Sequence, residues 1–146
     1  MNYMEEAYKQ AQKAFKRKEI PIGAVIVRNG KIISKAYNTR EHSQQAINHA
    51  EILAIQKASK KLKSWRLNDC EMYVTLEPCP MCAGAILNAR IKAVHIACLD
   101  DKSGAVISKY SLLDDGVLNH KCNVIVGENE EQCKNLIKTF FKSLRK

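Results

Sequence analysis

The sequence predicts an α/β fold, a three-layer α/β/α sandwich on a mixed sheet of about five strands. Apolar residues recur at helical or strand spacing in the order α-β-β-α-β-α-β-β-α, which calls for helices on both faces of one sheet. Asn29-Gly30 lies between two strand-like runs and marks a tight antiparallel hairpin. The chain has 146 residues and no internal repeat, low-complexity tract or long linker, so residues 1–146 are expected to form one domain around one core.

The elements follow in order. Met4, Ala7, Tyr8, Ala11, Ala14 and Phe15 share one face of a first helix, and Pro21 ends that region. Residues 23–27 and 31–37 are the hairpin strands. Residues 49–62 read as a second helix with Ile52, Ile55, Ala58 and Leu62 on one face and Asn48 as its N-cap candidate. Residues 72–76 form a strand that runs into Pro78-Cys79-Pro80, followed by a helix over about 81–89. An apolar strand at 93–97 leads to a polar loop at 100–104. A strand at 122–126 and a helix at 130–144 complete the set; the helix has Cys133, Leu136, Ile137, Phe140, Phe141 and Leu144 as its apolar positions.

An apolar fraction of 46% and a charged fraction of 27% place the chain among ordinary soluble proteins. No apolar run approaches the roughly 20 residues of a membrane span. The N-terminus lacks the basic-then-apolar layout of a secretory signal, so a cytoplasmic location and no membrane partner are expected. The net charge of +9 favours a polyanionic partner, although a lysine-rich solvated surface has the same composition. Residues 134–146 concentrate the effect, carrying Lys134, Lys138, Lys142, Arg145 and Lys146 and no acid. Of the six cysteines, Cys79 and Cys82 alone form a C-x-x-C pair; Cys70, Cys98, Cys122 and Cys133 read as buried free thiols.

His49, Cys79 and Cys82 are the candidate metal ligands. Imidazole and thiolate suit zinc, and three protein ligands leave a fourth tetrahedral position for water, the mark of a catalytic rather than a structural site. Pro80 suits the first position of a helix, which puts Cys79 and Cys82 about one turn apart at that helix's N-terminus. Such a terminus favours anions by up to roughly 1 kcal/mol and assists thiolate ligation. Positions i and i+2 of a helix do not share a face, but in the opening turn His49 and Glu51 both reach the rim of the helix end. Glu51 is then the proton shuttle beside an activated water, which is what hydrolytic deamination requires: attack on a ring carbon, a tetrahedral intermediate and departure of ammonia. Together these residues read H-A-E…P-C-x-x-C, the zinc-deaminase signature.

Five segments carry a wider resemblance: Glu19-Ile20-Pro21-Ile22-Gly23-Ala24-Val25, His49-Ala50-Glu51, Ser64-Trp65-Arg66-Leu67, the run from Tyr73 through Pro78-Cys79-Pro80-Met81-Cys82 to Ile86, and Phe140-Phe141-Lys142-Ser143-Leu144-Arg145. Over nearly its whole length the chain resembles the bacterial tRNA-specific adenosine deaminases. Ser64 to Leu67, Asn119-His120-Lys121 and the 140–145 tail are the segments more particular to that branch. The resemblance implies a cytidine-deaminase-like fold, one zinc per subunit on His49, Cys79 and Cys82, Glu51 as shuttle, and a homodimer. It implies conversion of the wobble adenosine in the anticodon stem-loop of an arginine tRNA to inosine, with the base flipped into the pocket. It places Asn38 against the target nucleotide and Asp100 against a neighbouring nucleotide or its ribose. The chain departs from the family pattern at Ala46-Ile47-Asn48, expected to border the pocket, at Leu99, where a polar residue is usual, and at Ala97, where glycine is expected. None of these removes a catalytic group.

The remaining residues have blander readings beside the functional ones. His42, His95 and His120 are expected to be structural or solvent-facing, with a phosphate contact open to His120. Trp65 is read as packing in preference to base stacking. The basic C-terminal helix is either an RNA contact or a solvated face. Asn38 could simply close a turn. Two other functions stand against the first. A zinc deaminase of a free base or nucleotide, such as guanine or a cytidine derivative, would share the metal site but lack the steep salt dependence of RNA binding. A non-catalytic, zinc-stabilised RNA-binding module would have no need of Glu51.

Overall fold

The computed structural model describes residues 2–114 and 120–144. Asn119, Arg145 and Lys146, which entered the sequence readings above, lie outside the described residues. Helix α1 (Tyr3–Lys16) starts at Asn2, whose side chain accepts the Glu5 N–H, and carries Glu5 and Glu6 in its first turn. Both features oppose the positive helix end. Its buried stripe is Met4, Ala7, Gln10, Ala11 and Ala14. Strands β1 (Gly23–Arg28) and β2 (Lys31–Tyr37) form the expected hairpin. Asn29 at φ 51° and Gly30 at φ 74° supply the two left-handed residues of a type I′ turn.

The chain continues through α2 (Arg40–Ser43), α3 (Ala50–Leu62), β3 (Cys70–Leu76), α4 (Pro80–Asn88), β4 (Ala93–Cys98), β5 (Asn123–Val126) and α5 (Glu130–Leu144). The short α2 has no counterpart in the sequence reading, because four polar residues show no apolar period. The five strands lie in the order β2-β1-β3-β4-β5. Strand β1 is antiparallel to both neighbours, whereas β3–β4 and β4–β5 are parallel. Helices α1 and α5 cover one face and α3 and α4 the other. In β1, Ala24 and Ile26 point to the α3/α4 side and Val25 and Val27 to the α1/α5 side. A strand covered on both faces is apolar throughout, and β1 is buried along nearly its whole length. The three-layer α/β/α sandwich is therefore present as expected. No described helix is long and apolar enough to cross a membrane.

Two expectations about α3 need correction. Its buried face is Ala50, Glu51, Ala54 and Ala58, with Ile55 and Leu62 only half-buried at the margin and Ile52 outside the core cluster. Alanine lacks bulk beyond Cβ, so this face can lie close to the sheet. Ser34 of β2 donates its hydroxyl to the Ala54 carbonyl at 2.9 Å, a contact that requires that proximity. The N-cap position belongs to His49, with extended backbone at φ −75° and ψ 156°, not to Asn48. Asn48 instead donates from Nδ2 to Ser43 Oγ at 3.0 Å. His49 makes no side-chain capping bond, which leaves its ring available to the site.

Helix α1 approaches β1 as closely as a backbone allows. A Cβ at Gly23 would overlap the Ala7 carbonyl and stand 2.5 Å from the Ala11 nitrogen and 2.7 Å from Gln10 Cβ. The Gly23 N–H donates to Thr75 Oγ1 at 3.1 Å, tying the same point to β3. Gly23→Ala is expected to lower unfolding stability by about 1–3 kcal/mol, the usual cost of overpacking. Urea denaturation checks it: the midpoint should fall at unchanged slope, and an unchanged midpoint would show that α1 can shift freely.

Candidate active site

Helices α3 and α4 begin side by side. Each opens on a residue in extended conformation, His49 for α3 and Cys79 for α4, and Pro80 occupies the first turn of α4 as its fixed φ allows. The adjacency brings together donors far apart in sequence. His49 Nδ1 lies 3.7 Å from Cys79 Sγ and 3.5 Å from Cys82 Sγ. All three donor atoms lie within 4.8 Å of one another. Bonds of about 2.0–2.3 Å in a tetrahedral shell put nitrogen and sulfur ligands about 3.5–3.8 Å apart, so the trio matches the requirement of one zinc ion.

The electrostatics point the same way. A hydrogen bond from the Cys82 thiol is the largest of the influences that bring Cys79 down to about 4, with the His49 ring adding to it against burial. The same contact pushes Cys82 far up, because a second thiolate would stand beside the first in a buried place. The Cys79 contact raises His49. A divalent cation among these atoms would relieve that repulsion and accept both sulfurs as thiolates. The donor set therefore fits a metal.

Glu51, in the first turn of α3, is buried against this trio and is 4% exposed. Burial pushes its carboxyl up to about 7, against the opposing pull of its own backbone N–H and the His49 ring. A group at that value is populated in both protonation states near neutrality, which is what a proton shuttle needs. The other four cysteines are buried and free, and burial raises each of them, Cys98 to about 11 and Cys122 and Cys133 to about 12. They are buried free thiols held in the neutral form, as expected from the sequence.

His49, Cys79 and Glu51 line a cleft of about 710 Å³, and Cys82 is fully buried beside them. Asn38 and Asp100 line the same cleft on different segments. Each side chain also shapes its own backbone. Asn38 donates to the Ile20 carbonyl at 3.3 Å and accepts the Arg40 N–H at 3.0 Å. Asp100 accepts the Lys102 N–H at 3.0 Å, the Ser103 N–H at 3.3 Å and the Ser103 hydroxyl at 2.7 Å. The mouth carries Arg40, Lys102, Lys134 and Lys138, and Leu99 and Phe141 are its exposed apolar residues. Ala46, Ile47 and Asn48 do not line the cleft, contrary to expectation; Ile47 is 51% exposed.

The sequence reading assigned no role to two buried carboxylates beside the cleft. Glu19 accepts the Glu41 N–H at 3.1 Å and the His42 N–H at 2.7 Å, and its Oε2 meets His42 Nδ1 at 2.7 Å. Glu77 accepts five hydrogen bonds from residues 100–108. For both, burial raises the carboxyl pKa, but the surrounding donors, His42 and Glu41 for one and Ser108, Asp100 and Ile107 for the other, outweigh it and hold the group below its usual range. The available signal was an acid at the end of an apolar segment, Glu19 before Ile20-Pro21 and Glu77 after Val74-Thr75-Leu76. Trp65 is a second correction. Its ring is 54% exposed and lies under Arg66 at 4.4 Å and near Arg90 at 5.9 Å, so it does not pack into the core. The remaining histidines all have protein partners. His42 pairs with Glu19, His95 bonds Glu71 and Glu128, and His120 bonds the Ile91 carbonyl.

Comparison with known proteins agrees with this geometry. The sequence profile of the MafB19-like deaminases matches residues 1–145. The tRNA-specific adenosine deaminase of Bacillus subtilis (strain 168) is 47% identical over 144 residues, covering 99% of this chain and 89% of that protein. A solved structure from studies of A-to-I editing by tRNA:A34 deaminases at the wobble position of transfer RNA superposes with a TM-score of 0.89 at 37% identity, over 92% of this chain and 97% of that one. A guanine deaminase structure from Bacillus subtilis matches at 42% identity with a TM-score of 0.65, over 68% of this chain and 66% of that one. By profile and by relatives, the chain belongs to the MafB19-like deaminases, among the tRNA-specific adenosine deaminases.

Proposed function

We propose that this protein hydrolytically deaminates adenosine to inosine at the wobble position of a tRNA anticodon, that of an arginine tRNA as the resemblance implies, and that it does so in the cytoplasm. The observation that carries the reading is Glu51, buried beside His49, Cys79 and Cys82 in a cleft whose mouth bears Arg40, Lys102, Lys134 and Lys138. The four cations suit a phosphate backbone on either side of one base drawn out of its stack. The tRNA-specific adenosine deaminases among its relatives support the same substrate.

In this reading His49 Nδ1, Cys79 Sγ and Cys82 Sγ hold one zinc ion. When bound, the metal supplies Lewis acidity and lowers the pKa of water toward neutrality. Glu51 moves the protons. Its carboxylate takes one from the attacking water and delivers it to the ring nitrogen of the purine; it then takes the remaining proton from the hydroxyl on the ring carbon and gives it to the amine, which leaves as ammonia as the carbonyl of inosine forms. Burial serves this role, since a carboxylate at its ordinary pKa would be too weak a base to take the proton and hold it between the two transfers. Asn38 and Asp100 orient the target and a neighbouring nucleotide from different sides of the cleft.

The discriminating experiment offers the purified protein an anticodon stem-loop with adenosine at the wobble position and, separately, free guanine. Inosine is expected from the stem-loop, with a fall of about 10²–10⁴-fold in Glu51→Gln, the range for losing a general acid–base group. The guanine deaminase resemblance motivates the second substrate. Xanthine from guanine with no inosine from RNA would replace this reading by the free-base one. Inosine at full rate from Glu51→Gln would remove the shuttle.

Elemental analysis should find one zinc per chain. Stripping it with a chelator should abolish inosine formation and zinc should restore it; active protein without metal would contradict the assignment. We further propose a homodimer, in which a second copy covers exposed side chains such as Trp65, Ile107 and Tyr110. Sedimentation at micromolar concentration checks this, and a monomer there would reject it.

A further inference from the structure

One wall of the cleft, residues 99–108, belongs to no helix or strand. A single carboxylate organises it. Glu77 Oε1 accepts the Asp100 N–H at 2.9 Å and the Ser108 hydroxyl at 2.6 Å. Its Oε2 accepts the N–H groups of Val106 at 3.1 Å, Ile107 at 2.7 Å and Ser108 at 2.9 Å. Gly104 makes room for this arrangement, since a Cβ there would collide with the Glu77 carboxyl and come within 2.6 Å of the Asp100 carbonyl. The segment is wrapped around the carboxylate, and the side of it facing the cleft is Leu99, Asp100, Asp101, Lys102 and Ser103.

The placement of Glu77 in the chain gives the wrapping a consequence for substrate. It follows the last residue of β3, its own N–H donates to the Cys98 carbonyl at 2.9 Å, and only Pro78 separates it from Cys79. One residue thus spans from the donor trio to the opposite lip. We propose that Glu77 is a positioning residue for substrate: it sets the distance between the reacting centre and the Asp100 lip, and so how tightly the nucleotide beside the target is held. The inference rests on the tRNA reading for the identity of that nucleotide.

Glu77→Gln separates the two ends of the segment. The amide carbonyl would keep the three N–H donors at the Oε2 position, and the new NH₂ would face the Asp100 N–H, donor against donor. The Ser108 hydroxyl can turn to accept, but the Asp100 N–H cannot. The lip is released while the 106–108 end stays anchored. Losing this charge-assisted bond corresponds to about a tenfold rise in KM for the stem-loop, with kcat changed much less.

Three measurements test the proposal. Amide hydrogen exchange should quicken at Asp100 and little at Val106 to Ser108, with zinc content unchanged. Steady-state kinetics should show the KM rise, and Ser108→Ala, a milder change at the same oxygen, should show a smaller one. In the Asp100→Ala background, Glu77→Gln should add almost nothing to KM, since it acts through that lip. Activity lost in proportion to folded protein at constant KM, or additive effects of the two substitutions, would overturn the proposal and leave Glu77 a purely structural residue. A parent protein that yields no inosine would instead remove the tRNA reading, and slowed or unchanged exchange at Asp100 would still reject the wrapping on its own.

Discussion

Donors separated by 30 residues meet because α3 and α4 start at the same place, and that meeting depends on how near the sheet α3 can lie. The alanines at 50, 54 and 58 provide the approach, and the Ser34 contact to the Ala54 carbonyl registers the helix along its axis. On the far side of the sheet Gly23 performs a comparable service for α1. The sheet is thus gripped closely from both faces. His49 and the cysteines gain their orientation from that frame rather than from capping bonds of their own.

The charges around the site are arranged by depth. His49, Cys79 and the buried Glu51 occupy the floor, Arg40, Lys102, Lys134 and Lys138 stand at the mouth together with Asp100 and Asp101, and the two buried carboxylates Glu19 and Glu77 lie under α2 and under the irregular segment 100–108. A buried carboxylate is tolerated only where donors replace its lost hydration. Here those donors are mostly backbone N–H groups, those of the first turn of α2 for Glu19 and those of the irregular segment 100–108 for Glu77, which have no acceptor in a ladder or a helix. Each carboxylate therefore satisfies its segment while the segment satisfies it. Among the described residues no buried polar side-chain atom lacks a partner.

Much of this was readable in the sequence. The H-A-E and P-C-x-x-C spacing marks four residues whose geometry the fold brings together, because helix starts are announced by local chemistry such as Pro80. The hairpin at Asn29-Gly30 and the run of strands and helices were equally local. What escaped depends on partners distant in sequence. Hydrophobic periodicity gives weight to Ile52 and little to Ala54, so it misplaced the inner face of α3. Glu77 looks like part of a motif until residues 100–108 fold back onto it, and Trp65, beside Arg66 in the sequence, meets Arg90 only in the fold.

Helix α5 gives the cleft a wall of Lys134, Ile137, Lys138 and Phe141, yet it is the last element in the chain. Synthesis runs from the N-terminus, so α5 leaves the ribosome after every other described element. The donor trio is complete by Cys82, while the groove that would receive a nucleic acid has no far side until the final helix docks against β3 and β4. A nascent chain thus holds the donor trio and Glu51 well before α5 brings Lys134 and Lys138 to the other side of the cleft.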